Sequence, residues 1–219
     1  MREIAEPFVV ASGLEEDGVI TGNFYDKYGS RNPVVRALMK GFSDALEELV
    51  ATTGARVIHE VGCGEGHWTL KWAAQGINAT GSDFSKQVIA LAESNAASSK
   101  VTATFRAASI YDLTAPTDAA ELVVCSEVLE HLEEPERALT VLEQLASPWL
   151  IVTVPREPLW SAMNMARGKY WSSLGNTPGH IQRWSSRSFV ALVSRSFEIV
   201  SVRRPVPWTL VLCRRKSPA

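Results

Sequence analysis

The sequence predicts an α/β domain: a mainly parallel seven-stranded sheet with helices on both faces. Three observations carry this. Short apolar runs alternate with amphipathic segments of helical period between Val57 and Val154. A glycine-rich turn, Gly62-Cys63-Gly64-Glu65-Gly66, stands where the first such run gives way to the next helix. Two last apolar runs flank Pro205-Val206-Pro207 and read as a closing hairpin. Strands that alternate with helices imply right-handed βαβ units and hence parallel pairing.

In order along the chain, residues up to Asn32 mix Gly, Asp and aromatics and read as an irregular arm. Asn32-Pro33 then opens a helix, with apolar residues at Val34, Val35, Leu38, Phe42, Ala45, Leu46 and Leu49, and Gly54 closes it. Strands are expected at Val57–Val61, Ala79–Asp83, Val101–Phe105, Glu121–Cys125 and Trp149–Val154, with helices at His67–Ala74, Ser85–Ala97 and Pro135–Leu145. The rhythm breaks over Pro155–Trp184, a stretch too long for a routine connection and rich in Gly, Pro and Trp. Ser185 then caps a helix to about Ser194, and Phe197–Val202 and Trp208–Cys213 complete the sheet. One domain results, in four parts: 1–54 arm and helix, 55–154 core, 155–184 insertion, and 185–219 closing helix and strands.

Composition narrows the partners. The chain has 219 residues and a formal net charge of −2, so no overall basic field argues for nucleic acid. The basic Arg214-Arg215-Lys216 reads as a solvated end. Cys63, Cys125 and Cys213 are odd in number and lie in apolar runs, the pattern of reduced thiols. Met1 to Pro7 lacks the apolar run of a signal peptide, and no stretch reaches the length of a membrane span. The expectation is a cytoplasmic protein; the oligomeric state is not legible.

The turn reads Glu60-Val61-Gly62-Cys63-Gly64-Glu65-Gly66. Glycines there permit positive φ and close approach of backbone to a ligand, and free N–H groups at the helix start favour a polar or anionic group. A dinucleotide fingerprint would need a third glycine where His67 stands, so an NAD site is disfavoured. Asp83, at the end of the second strand, has the placement to take both hydroxyls of an adenosyl ribose; its other reading is a cap of the following helix.

On these residues the stretch Val57–Val154 resembles the class I S-adenosylmethionine (SAM)-dependent methyltransferases and their Rossmann-like fold. The resemblance implies that Gly62, Gly64 and Gly66 wrap the amino-acid end of SAM, with Glu60 supporting the loop. It implies that Asp83 binds the ribose and Phe84 packs on adenine. Ala108-Ser109-Ile110-Tyr111-Asp112-Leu113 matches the adenine-edge loop, although many members carry an acidic residue where Ser109 stands; the Ile110 N–H would serve the ring.

The chemistry is expected where the fourth strand ends, in Cys125-Ser126-Glu127-Val128-Leu129-Glu130-His131-Leu132. Ser126 borders the cofactor. Glu127, Glu130 and His131 have turn or helical spacing, and two carboxylates with an imidazole can hold Mg, Mn or Zn. The pattern is similar to that of ubiquinone-pathway O-methyltransferases and of small-RNA 2′-O-methyltransferases, which use a divalent metal. The RNA enzymes add a downstream histidine, for which this chain offers His180. The same stretch is common in type-11 methyltransferases that need no metal, where Glu127 or His131 lines the acceptor pocket. His131 is then the base or the acceptor-orienting group. His59 and His67 read as structural.

Acceptor specificity is expected from the arm, with Tyr25 and Tyr28 as lid or core aromatics, and from the insertion, with Arg156, Arg167 and Lys169 as anion grips or solvated charge. The expected function is methyl transfer to a small-molecule acceptor, by preference at a hydroxyl oxygen. An RNA ribose methyltransferase and a non-catalytic subunit that binds SAM or its demethylated product, S-adenosylhomocysteine (SAH), are the alternatives.

Overall fold

The computed structural model describes residues 8–16, 19–23 and 25–216. The reading of Met1 to Pro7 lies outside them. A small hairpin pairs Glu15–Glu16 with Val19–Ile20. The main sheet has seven strands: β1 (Val57–Val61), β2 (Asn78–Asp83), β3 (Thr104–Ala107), β4 (Ala120–Ser126), β5 (Ala146–Pro155), β6 (Phe197–Arg203) and β7 (Trp208–Arg215). Its order is β3-β2-β1-β4-β5-β7-β6, with β7 antiparallel to both its neighbours and the other pairs parallel.

The helices of eight residues or more are α1 (Pro33–Thr53), α2 (His67–Ala74), α3 (Lys86–Ser99), α4 (Pro135–Leu145), α5 (Leu159–Ala166) and α6 (Ser186–Val193). Alternation along the strands sorts them into two layers. Leu122 and Val124 of β4, with Leu210 and Leu212 of β7, pack against Phe42, Leu46 and Leu49 of α1 and Trp68 and Trp72 of α2. Val123 and Cys125, with Val211 and Cys213, pack on the opposite face against Leu139 and Leu142 of α4 and Phe189 of α6. All three cysteines are free and buried.

Caps fall where the side chains dictate. Asn32 accepts the Val34 N–H, Gly54 closes α1 at φ 65°, and Ser85 and Ser185 cap α3 and α6. The third strand differs from its expected place. Lys100 ends α3 in the left-handed region, so residues 101–103 serve as connector and pairing with β2 starts only at Thr104. The insertion contains a helix, α5, that the composition hid behind Pro155 and Pro158. Its base is closed by a bridge between Arg156 and Trp184. The C-terminal basic residues are solvent-exposed, as expected, but belong to the sheet: Arg214 and Arg215 end β7. Lys216 donates to the Ser194 and Arg195 carbonyls at the end of α6, at 3.0 and 2.8 Å. No helix among the described residues is long and apolar enough to cross a membrane.

Candidate functional site

At the carboxyl end of β1 the chain turns through Gly62, Gly64 and Gly66, with φ of 76°, 52° and 84°. Space as well as φ demands glycine at the first: a Cβ on Gly62 would lie 2.2 Å from Val128 Cγ2. The turn is pinned to β2, since the Gly62 and Cys63 N–H groups both donate to the Ser82 carbonyl, at 2.7 and 3.0 Å. Asp83 Oδ2 accepts the Gly64 N–H and Oδ1 accepts the Ser85 N–H, each at 3.1 Å. The cap of α3 is Ser85, so Asp83 belongs to the turn and not to the helix end. Burial holds its carboxyl above the usual range, against the two backbone bonds.

Glu60 is buried and accepts both the N–H and the hydroxyl of Thr69, tying the end of β1 to the first turn of α2. Burial pushes it up to about 8. Phe84, next to Asp83, exposes 44% of its surface, unlike the core aromatics. The Ala108 N–H donates to the Asp83 carbonyl at 2.8 Å, which sets the following loop on the same rim. There Ser109 Oγ accepts the Tyr111 N–H, while the Ile110 side chain enters the α4-side core and leaves only its backbone for a ligand. Ser126, closing β4, shares a hydrogen bond of 2.9 Å with the Thr153 hydroxyl.

The second half of the site follows β4. Glu127 has φ 59°, rare for a residue with a side chain and typical of functional turns. Its Oε2 accepts the Trp208 indole N–H at 2.7 Å and its Oε1 the Thr153 hydroxyl at 3.2 Å. Burial pushes its carboxyl up to about 7. A single 3-10 turn, Leu129–His131, comes next. The Glu130 carbonyl accepts the Ile181 and Gln182 N–H groups at 2.8 and 2.9 Å, docking the insertion here. Its carboxylate is fully buried, and neither oxygen meets a hydrogen-bond partner among the described residues. Burial, with Glu127 nearby, drives its carboxyl well above the usual range.

His131 Nδ1 lies 2.9 Å from the Gly179 carbonyl, so this nitrogen carries the proton and Nε2 keeps its lone pair. The His180 ring meets His131 edge-on at 4.9 Å and stacks on Trp160 at 5.9 Å. Desolvation lowers both imidazoles, His180 to about 4, so both are neutral at pH 7. Glu130, His131 and His180 each bring a ligand atom within 4.8 Å of the others. The expected fourth ligand, Glu127, is not in this group. It lies outside the 3-10 turn, and its carboxylate is engaged by Trp208 and Thr153.

The other candidates separate cleanly. His59 is structural, bonded through Nδ1 to the Asp118 carbonyl at 2.7 Å and through Nε2 to Ser82 Oγ at 2.9 Å. His67 stacks on Tyr28 at 3.5 Å, and the Tyr28 hydroxyl accepts the Trp68 indole N–H, which makes Tyr28 a packing residue; Tyr25 is exposed. Arg167 is spent on Asn164 Oδ1 at 2.7 Å. Sequence reasoning missed Thr153, Trp208 and Glu65. The first two sit on strands that pair only in three dimensions; Glu65 was legible as a charged residue inside a glycine turn.

A family model described as a methyltransferase domain matches residues 59–149, the span from β1 into β5. The ubiquinone biosynthesis O-methyltransferase of Xylella fastidiosa is 30% identical over 138 residues, covering 63% of this chain and 55% of that protein. By these matches the chain is similar to the class I SAM-dependent methyltransferases. This chain thus spans just over half the length of that relative. Among solved structures, the magnesium protoporphyrin IX methyltransferase of Synechocystis PCC 6803 with bound SAH superposes at TM-score 0.66 with 20% identity, covering 86% of this chain and 90% of that one. The cyclase SpnF superposes at 0.62 with 17% identity, covering 80% and 82%. Within the class I methyltransferase fold, the reaction is therefore a matter for the site and not for the sheet.

Proposed function

We propose that this chain binds SAM on the glycine turn and Asp83 and transfers its methyl group to a hydroxyl oxygen of a small molecule. The observation that carries the reading is His131: a neutral imidazole, aimed by the Gly179 carbonyl, with Nε2 free to take a proton. Val128 packs against Gly62, so the turn that presents His131 touches the turn assigned to the cofactor. When bound, SAM supplies an electrophilic methyl group and a thioether leaving group. Glu60, Gly62, Gly64, Gly66, Asp83, Phe84, Ser109, Ile110 and Ser126 hold it. His131 Nε2 takes the hydroxyl proton as the oxygen attacks, while Trp160 and Trp208 wall the acceptor and exclude water. A net charge of −2 supports a small acceptor over RNA.

The test is transfer of labelled methyl from SAM to a panel of phenols, catechols, aliphatic alcohols, amines and carbon acids. The expected result is label on oxygen, with kcat lowered by roughly 10²- to 10⁴-fold in His131→Gln while SAH binding persists. Label on nitrogen or carbon acceptors alone would contradict the reading.

One observation favours a second group at the same place. The orphaned Glu130 carboxylate beside two neutral imidazoles is the donor set a divalent cation needs. Glu130, His131 and His180 would hold it, and a bound cation would acidify a ligated hydroxyl. Calorimetric titration of Mg²⁺, Mn²⁺ and Zn²⁺ into chelator-stripped, SAH-saturated protein should show binding that Glu130→Gln abolishes; silence in the wild type removes the cation from the account.

A further inference from the structure

Glu65 stands inside the glycine turn yet makes no side-chain bond within it. Its carboxylate is buried, with 1% of the residue exposed, and its donors among the described residues come from the N-terminal arm. Oε1 accepts the Ala11 and Asn23 N–H groups, both at 2.7 Å, and Oε2 accepts the Asn23 side-chain N–H at 2.7 Å. Between these contacts Gly22, at φ 63°, lies so close that a Cβ would fall 2.6 Å from Oε1. Asn95 of α3 adds a second tie, with the Val9 N–H donating to Oδ1 at 3.0 Å and Nδ2 donating to the Val9 and Glu65 carbonyls. A third lies beside Phe84, where Ser85 Oγ donates to Glu16 at 2.6 Å.

From this geometry we infer that Glu65 is a positioning residue: it fixes the arm against the cofactor turn, and its bonds set how long the cofactor is retained. The inference rests on the cofactor assignment proposed above. A buried carboxylate with three short donors holds its partners firmly, because each bond is charge-assisted. Yet the arm lies outside the main sheet, so it can open locally while the core stays folded. Opening would return the carboxylate to water, which gives the open state its own solvation and makes exchange possible without unfolding.

The test compares SAH dissociation, followed by stopped-flow displacement, in the wild type, Asn23→Ala and Gly22→Ala, with hydrogen exchange at the Ala11 and Asn23 amides. Asn23→Ala leaves the core untouched, so its ligand-free melting should hold close to wild type, while Gly22→Ala strains the left-handed arm backbone against Glu65 and Ala11 and should melt lower. Loss of one charge-assisted bond should speed SAH release about tenfold or more. The two amides should exchange more slowly when SAH is bound. Wild-type release rates in both variants would overturn the role of Glu65 and leave the cofactor assignment standing. Wild-type protein that takes up no SAH would overturn both.

Discussion

Around the glycine turn every carboxylate is satisfied: Glu60 by Thr69, Asp83 by Gly64 and Ser85, and Glu65 by the arm. Across the crevice, the Glu130 carboxylate is buried with no partner among the described residues, Glu127 sits in left-handed backbone, and two histidines are neutral side by side. The glycine-turn half, proposed above to hold the cofactor, satisfies its carboxylates with the protein's own donors. The half proposed to take the acceptor keeps polar capacity that no described residue uses, which supports the proposal that binding and proton transfer occur there. The contact of Val128 on Gly62 is the seam between them.

The largest expected effect tests the finished half. Asp83→Ala removes the acceptor assigned to both ribose hydroxyls and should weaken SAH by roughly a hundredfold or more, read by calorimetry. An unchanged affinity would detach Asp83 from the cofactor. Next comes the seam. Gly62→Ala forces a Cβ onto Val128 in left-handed backbone, and melting should fall by roughly 5–10 °C. A variant that melts like the wild type would mean that the two halves are not rigidly packed together.

Smaller effects sharpen the unfinished half through pH. The folded chain keeps a proton on Glu130 where the unfolded chain releases it, so stability falls as pH rises above the ordinary carboxylate value. In Glu130→Gln that decline should flatten in thermal melts, leaving the shares owed to Glu127, pushed up to about 7, and Glu60, pushed up to about 8. The smallest change is expected at His67, whose imidazole is lowered from 6.5 to about 3 by burial and by Lys71 and Lys27. The unfolded chain takes up that proton first, so stability is full above 6.5 and is lost as pH falls toward 3. His67→Phe should reduce this acid-side slope; an unaltered slope would show that His67 is solvated.

The two halves also differ in how far the sequence revealed them. The glycine turn, Asp83 and Ser85 lie within one βαβ unit, where spacing, φ and capping are local and readable. Helices α1, α2 and α4 begin where Pro33, His67 and Pro135 indicate. At the acceptor end, His131 is oriented by a carbonyl 48 residues away and Glu127 by an indole 81 residues away, contacts that no local pattern encodes. The same holds for β3, whose start is set by pairing with β2, and for α5, whose short apolar face was masked by flanking prolines.

The central claim is that cofactor and acceptor sites are separately built. Calorimetric titration of SAH into the wild type, Asp83→Ala and His131→Gln tests it most directly. The account predicts wild-type affinity in His131→Gln and lost affinity in Asp83→Ala. Equal losses in both, or equal retention in both, would contradict it.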